Sequence, residues 1–352
     1  MPVTEDYINE KLARRQLGYG RGGRMQIEDD KVEILSGIRG SSTIGSPIAL
    51  LIKNKDYANW QEIMATGKTQ TEPLTIPRPG HADLAGLLKT GQSDIRNILE
   101  RSSARETAAR MAGASLCCKL LDELGVIITS HVTSIGAISS EKTFNPAETK
   151  GIDKDPVRMA DRETSKKAVA AIDEAKNNGD TLGGTFQVIA FNVIAGLGSY
   201  AGWQDRLDAE LAKAIVSIPA VKGVSFGKGF KVSRVPGSHA HDEIFYDKGY
   251  YRKTNRAGGL EGGMSNGEPI VINAAMKPIP TLGKALKTID IHSKKDAQAL
   301  KERADVTAVP SAAVIAEAMV ALTLTNAYLV KFGGDNLNDL KSAVSSYSNR
   351  LK

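Results

Sequence analysis

Residues 94–123 read DIRNILERSSARETAARMAGASLCCKLLDE, and GVIITSHVTSI follows at 125–135. The first stretch is the strongest helical run in the chain, from Asp94 to Glu123 with Gly125 as its stop. Its middle is built of small residues: Ser102, Ser103, Ala104, Ala108, Ala109, Ala112, Gly113 and Ala114. Residues of that size let another backbone, or a ligand, come close. The second stretch, Gly125 to Ile135, reads as a strand.

Working outward, elements alternate irregularly. Thr4 reads as an N-cap, with Glu5 and Asp6 in the first turn, where the helix dipole favours them. Ile8 and Leu12 share a face, and Gly18 ends the pattern. Gly18 to Met25 (GYGRGGRM) is a loop of glycine and arginine, and Val32–Ile38 and Ser46–Ile52 read as strands. Residues 54–92 are mostly irregular and contain Pro73, Pro77 and Pro79. On the other side, residues 163–178 form an amphipathic helix, Phe186–Val193 a strand and Arg206–Val216 a helix. Val224–Val235 suggests a hairpin around Gly227 and Gly229. Pro269–Met276 is a strand, and Ala312–Phe332 a long, mostly apolar helix stopped by Gly333. No repeat, low-complexity linker or composition break interrupts the chain. The reading is one α+β domain over residues 1–352.

Composition bounds the function. A chain of 352 residues with 41% hydrophobic and 24% charged residues can bury a large core. No apolar run reads as long enough to span a membrane and no signal peptide opens the chain, so the expected location is cytoplasmic. Cys117 and Cys118 are neighbours on one helix and point apart, as small core residues of a reducing compartment would. The histidines His81, His131, His239, His241 and His292 form no zinc spacing with them, so no metal is expected. The net charge of +6 suits nucleic acid, a membrane or an anionic small molecule. Its densest early cluster, Arg14, Arg15, Arg21 and Arg24, is interleaved with glycine, and 5% aromatic content argues against a base-stacking surface. Many of the 34 glycines sit in charged loops, which points to loops shaped around a ligand.

Four segments carry candidate chemistry. Arg14–Met25 offers guanidinium forks for carboxylate or phosphate, though alone it reads as a solvated loop. Arg78-Pro79-Gly80-His81-Ala82-Asp83 holds a histidine after a Pro-Gly turn, where Asp83 can orient it; an isolated loop histidine is more often merely exposed or structural. Arg101-Ser102-Ser103-Ala104-Arg105-Glu106 places two arginines and two hydroxyls together, a phosphate site if a helix starts or kinks there, a surface helix otherwise. Thr254–Gly267 (TNRAGGLEGGMSNG) and the following Lys277-Pro278-Ile279-Pro280-Thr281 suit a backbone approaching a flat ligand, or a flexible loop. The GGxxGG spacing lacks the strand and helix context of a dinucleotide fingerprint.

Taken in order, RRQLGYGRGGRM, SGIRGSSTIGSP, RPGHADLAGLLK, RSSARETAAR, VIAFNVIAGLGSY, GSHAHDE, TNRAGGLEGGMSNGEP, KPIPT and RADVTAVPSAAVIAEAM resemble chorismate synthase, from Pro2 to about Gly334. The resemblance implies a β-α-β-α sandwich of antiparallel sheets and helices, assembled as a homotetramer. It implies a 1,4-anti elimination of phosphate from 5-enolpyruvylshikimate 3-phosphate with reduced FMN and no net redox change, NADPH being a possible source of flavin reduction. By position it assigns His81 and Asp305 to proton handling. Arg101, Ser102, Ser103, Ala220, Gly262, Lys277, Pro278, Ile279, Pro280, Thr281 and Arg303 match cofactor positions, and Arg15, Arg21 and Arg105 substrate or nucleotide positions. Its partners are then a small anionic substrate and copies of itself, not nucleic acid or membrane.

One departure stands out. The family opens with a strand carrying Gly-Glu-Ser-His-Gly, ahead of the Pro2-Val3-Thr4 with which this sequence starts after Met1. The expectation is therefore a chain truncated at its N-terminus relative to the family, either a working enzyme or a non-catalytic homologue that binds FMN or joins mixed oligomers. Ala304 also stands where one branch of the family has histidine.

Overall fold

The computed structural model describes residues 1–23, 29–67, 71–142, 151–300 and 305–352. Helix α1 spans Glu5–Gln16, and Thr4 Oγ1 accepts the Tyr7 N–H at 3.2 Å, satisfying one orphan donor of the first turn. Strands β1 (Val32–Ser36), β2 (Ile38–Arg39), β3 (Ser42–Thr43) and β4 (Ala49–Ile52) follow; β1 pairs with β4 and β2 with β3. Then come α2 (Asp83–Thr90), α3 (Arg96–Ser102), α4 (Glu106–Glu123), β5 (Ile127–Ile135), β6 (Ile138–Ser139), α5 (Arg162–Asn177) and β7 (Gly184–Phe191). After α6 (Leu207–Val216) and β8 (Val221–Phe226), three hairpins flank a long strand: β9 (Ile244–Tyr246) with β10 (Tyr250–Arg252), β11 (Leu260–Glu261) with β12 (Met264–Ser265), β13 (Ile270–Met276), then β14 (Lys287–Ile289) with β15 (Asp296–Gln298). Helices α7 (Val309–Phe332) and α8 (Leu337–Arg350) end the chain.

The organising sheet is antiparallel, in the order β6-β5-β7-β13-β8. Period-two alternation sends Phe186, Val188 and Ala190 of β7 and Ile270, Ile272 and Ala274 of β13 into the main core. The opposite face carries Gln187 and Asn273, joined at 2.8 Å, with His131 against Gln187 at 3.2 Å. On the core face lies α7, which also contacts α4, α6 and α1. Beyond that helical layer, β1 rests on α1 and β4 on α4. Sheets and helices therefore stack in layers, an α+β architecture. Ile8 and Leu12 of α1 are wholly buried in it, each contributing roughly 1.5–3 kcal/mol.

The structure corrects several readings. The run at 94–123 is two helices, because Ser103 adopts ψ 135° and breaks the ladder. The stretch 54–92 is less irregular than expected, holding a 3-10 turn at Lys55–Asn59 and all of α2. No hairpin forms at 224–235: β8 ends at Phe226, and Gly229–Arg234 coil into a 3-10 helix. β13 therefore pairs with β7 on one side and β8 on the other. Helix α8 was not anticipated. Helix α7 is long and apolar enough to cross a membrane by composition, contrary to expectation, but 61% of its most apolar window is buried inside the protein. Residues 309–321 are buried on nearly every side, so that half is apolar all round, while Leu322, Leu329 and Val330 of the second half stay exposed.

Candidate active site

The candidate residues meet along a continuous run of contacts. It begins at the end of α1, where Arg14 and Arg15 point opposite ways. Arg15 is buried and its Nη2 donates to Asp30, while its Nη1 approaches Thr107 Oγ1 at 3.4 Å. Arg105 donates to the other oxygen of Asp30. Arg105 closes the kink between α3 and α4. There the Ser103 carbonyl accepts the Glu106 N–H and Ser103 Oγ the Arg105 N–H, each at 3.2 Å. Of the two alternatives for this segment, the helix break is the one observed. Arg101 is exposed beside it, and Ser102 Oγ is buried with no hydrogen-bond partner among the described residues.

Farther along α4, Arg110 donates to Ser217 Oγ at 2.8 Å, bringing the Ser217–Ala220 turn alongside. Ala220 sits at φ +67° and its carbonyl accepts the Lys277 N–H at 2.9 Å. Lys277 Nζ in turn donates to the Gly80 carbonyl at 2.5 Å. Gly80, at φ +78°, lies close enough that a Cβ would stand 3.5 Å from Pro280 and 3.6 Å from Lys277 Nζ. Thus the Pro-Gly turn before His81 packs on the Lys277–Thr281 stretch. Ile279 accepts from Thr181 Oγ1 at 2.8 Å, and Leu182 N donates to the Val306 carbonyl at 2.8 Å. Val306 N donates to Gly20 O at 2.7 Å, which returns the path to the glycine–arginine loop. Beside it Asp305 accepts the Gly22 N–H at 2.6 Å and pairs with Arg21 at 3.2 Å.

His81 and Asp83 form a hydrogen-bonded pair of acid–base side chains. His81 Nδ1 lies 2.5 Å from Asp83 Oδ1, so the ring presents Nε2 as its other polar atom. Asp83 is fully buried and takes the Arg78 N–H and Nε–H at 2.9 Å each, and Nη2 at 3.1 Å. Burial alone would raise the Asp83 pKa. The hydrogen bonds from His81 and Arg78 outweigh it and hold the carboxyl well below its ordinary range.

One assigned residue, Gly262, lies on a separate hairpin. Gly262 and Gly263, at φ +58° and +85°, make the two-residue turn of the β11–β12 hairpin, against Ser199, Arg206 and Leu207. The Thr254–Gly267 loop is pinned by Asn255, which donates to Pro269 O and accepts from Gly259 N, each at 2.7 Å. Arg303, like Arg24, falls outside the described residues.

Sequence reasoning overlooked a buried ion cluster behind α1. Glu317 of α7 accepts from Arg14 at 2.6 and 3.1 Å, Ser130 Oγ at 2.7 Å and Arg158 at 3.2 Å, and Asp153 pairs with both arginines. Burial would raise the Glu317 pKa; the charges of Arg14 and Arg158 reverse that and leave it lowered. The one available signal was a lone carboxylate in the apolar run 312–332. Asp30 had none, lying in the charged run EDDK at 28–31.

Acid–base groups and cations gathered on loops over a rigid layered frame are what an enzyme acting on a small molecule requires. Comparison with known proteins narrows that class. Residues 1–329 match the chorismate synthase family. The chorismate synthase of Sulfurihydrogenibium sp. is 53% identical across 98% of this chain and 91% of its own length. That of Moorella thermoacetica is 52% identical across 100% and 93%. A solved crystal structure of chorismate synthase superposes with TM-score 0.79 at 39% identity, over 99% of this chain and 90% of that one. The chain belongs to the chorismate synthase family, and is a lyase of the shikimate pathway and aromatic amino acid biosynthesis.

Proposed function

We propose that this chain eliminates phosphate from 5-enolpyruvylshikimate 3-phosphate to form chorismate, with reduced FMN as cofactor. The observation that carries the reading is His81 held on the ionised, buried Asp83 at a turn packed against the Lys277–Thr281 stretch. The residues fit a phosphate-bearing cofactor. Ser102 Oγ is a buried hydroxyl without a partner among the described residues, at a helix break flanked by Arg101 and Arg105. When bound, reduced FMN would supply transient electron donation to the departing phosphate and a base for the C6 proton.

The protein's part is binding, orientation and proton handling. Arg101, Ser102, Ser103, Lys277 and the stretch through Pro278, Ile279, Pro280 and Thr281 would hold the cofactor, with Ala220, Gly262 and Arg303 completing that set. Arg105 and Arg21 would face the substrate anions, with Arg15 behind Arg105. His81 Nε2 handles a proton beside the leaving phosphate. Asp305, gripped by Arg21 and Gly22 N, assists removal of the C6 proton. Fixed charges of this kind lower a barrier because they do not reorganise during reaction. The reading includes a cytoplasmic homotetramer; association is supported by exposed apolar side chains at Phe230, Tyr250 and Val330, each more than 70% accessible.

The test is anaerobic phosphate and chorismate release by the purified chain given substrate and chemically reduced FMN. Turnover is expected. FMN binding without turnover would overturn the reading in favour of a non-catalytic homologue.

A further inference from the structure

His81 stands at the end of a stretch that the chain has few ways to hold. Pro77 and Pro79 carry no N–H, and the Arg78 N–H is committed to Asp83 at 2.9 Å. Carbonyls are therefore the main handles by which the rest of the protein can fix residues 77–80. Two of them are taken from far along the chain. Thr288 Oγ1 of β14 donates to the carbonyl of buried Pro77 at 2.7 Å, and Lys277 Nζ to the Gly80 carbonyl at 2.5 Å. Two residues before Pro77, Thr75 Oγ1 donates to Asp290 Oδ2 at 2.8 Å, and the Thr75 carbonyl accepts the Ile291 N–H at 3.0 Å. Asp290 is itself set by the turn after β14, where its Oδ1 takes the His292 and Ser293 N–H groups at 2.8 and 2.9 Å.

We propose that Thr288 is a positioning residue for the elimination: through the Pro77 carbonyl, the β14–β15 hairpin sets where His81 stands against the Lys277–Thr281 stretch. The proposal rests on the functional reading above and extends it to a hairpin that carries none of the residues assigned to ligands.

Stiffness is what makes the contact count. Proline fixes φ at roughly −65°, and a residue before proline is held extended, so Ile76 to Pro79 has few soft torsions. Gly80, the remaining flexible link before His81, is pinned by Lys277. A shift at Pro77 is then passed on to His81 rather than absorbed between them. The hairpin also follows the Lys277–Thr281 stretch in the chain and precedes Asp305, and the Ala299 N–H on the Leu286 carbonyl at 2.9 Å prolongs its ladder. One brace thus references His81 to both segments. The contact needs a hydroxyl, because a methyl in its place would leave the Pro77 carbonyl without that donor.

The test compares the full chain with Thr288→Val, which keeps the β-branched shape and loses the donor. The readouts are kcat and KM for 5-enolpyruvylshikimate 3-phosphate at saturating reduced FMN, and amide hydrogen exchange of peptides spanning residues 74–83 in protein without added ligand. Thr288→Val should lower kcat about tenfold or more with KM within about threefold, and should speed exchange at 74–83 while the central sheet stays as protected as before. Thr288→Ser, which restores the donor, should return both readouts toward those of the unaltered chain. Unchanged kcat or unchanged exchange at 74–83 in folded Thr288→Val overturns the proposal. So does a loss that Thr288→Ser does not recover, or exchange that quickens throughout the chain, which marks general destabilisation. Should Thr288→Val not fold, Thr75→Val removes the donation to Asp290 and is expected to move both readouts the same way; no change there is equally fatal. Combined with His81→Ala, Thr288→Val should cost no further turnover, and an additional loss would count against action through His81. Failure of the functional reading looks different: the unaltered chain would not turn over, while the exchange difference at 74–83 would remain.

Discussion

Replacing Asp83 by Asn would test the proposed acid–base centre most directly. In the unaltered protein one carboxylate oxygen takes the Arg78 backbone N–H and Nε–H at 2.9 Å, and the other faces His81 Nδ1 at 2.5 Å and Arg78 Nη2 at 3.1 Å. In Asp83→Asn the amide oxygen should remain with the two donors on its own side, which leaves the NH2 group facing Nδ1. An NH2 group donates, so Nδ1 must accept and the ring proton moves to Nε2. The histidine then presents the wrong tautomer to the substrate. Positioned acid–base groups contribute about 10²–10⁴-fold, so kcat should fall by that factor, about 2.7–5.5 kcal/mol in barrier. KM should move much less, since Arg105 and Lys277 are untouched. The assay is phosphate release at saturating substrate and reduced FMN, with folding checked by circular dichroism. A folded Asp83→Asn enzyme with kcat within about threefold of the unaltered chain would refute the orienting role.

Other outcomes follow from the same geometry. His81→Ala and Asp305→Ala should each cut turnover strongly while FMN titration stays near that of the unaltered chain; full activity in either removes the role given to that residue. Glu317→Gln leaves Arg14 and Arg158 sharing Asp153 as their carboxylate among the described residues, and breaking such a buried pair costs about 3–5 kcal/mol. At about 2.1 cal/mol/K per residue, the unfolding entropy of 352 residues is roughly 0.7 kcal/mol/K, so Tm should drop about 4–7 K. Because the Glu317 pKa is lowered by folding, its contribution is complete above the ordinary glutamate range and is lost as pH falls through the lower folded value. His131 behaves differently: burial, then the charge of Arg158, push its pKa down to about 4 from 6.5. The unfolded chain therefore takes up the proton first, and stability should decline by about 3 kcal/mol as pH falls from 6.5 toward 4. Thermal scans over that range should show a decline that His131→Gln flattens.

Much of this molecule was readable from the chain. Thr4, the acidic first turn, Ile8 and Leu12 specify α1 locally, and the alternation in Phe186–Val193 and Pro269–Met276 marks two central strands. The segments RPGHAD, RSSAR and KPIPT were candidates by residue type, but each taken alone admitted a structural reading equally, and only their order along the chain pointed to a shared site. What misled was local propensity at 94–123. Alanine, leucine and arginine all favour helix, and nothing short of tertiary contact shows that Ser103 turns the chain to form the break. Likewise Gly227 suggested a hairpin turn, but its N–H goes to the Val271 carbonyl, so β13 pairs beside β8.

The sequence by itself determined which residues could carry charge, protons and tight turns, since those are properties of side chains and of φ at glycine. Only the tertiary structure decided which of them act together. Asp30 meets Arg15 and Arg105 across separations of 15 and 75 residues, and Glu317 meets Arg14 across 303. A carboxylate takes its partner from whatever cation the packing brings within about 3 Å, and that distance is set by how sheets and helices stack, not by neighbours in the chain.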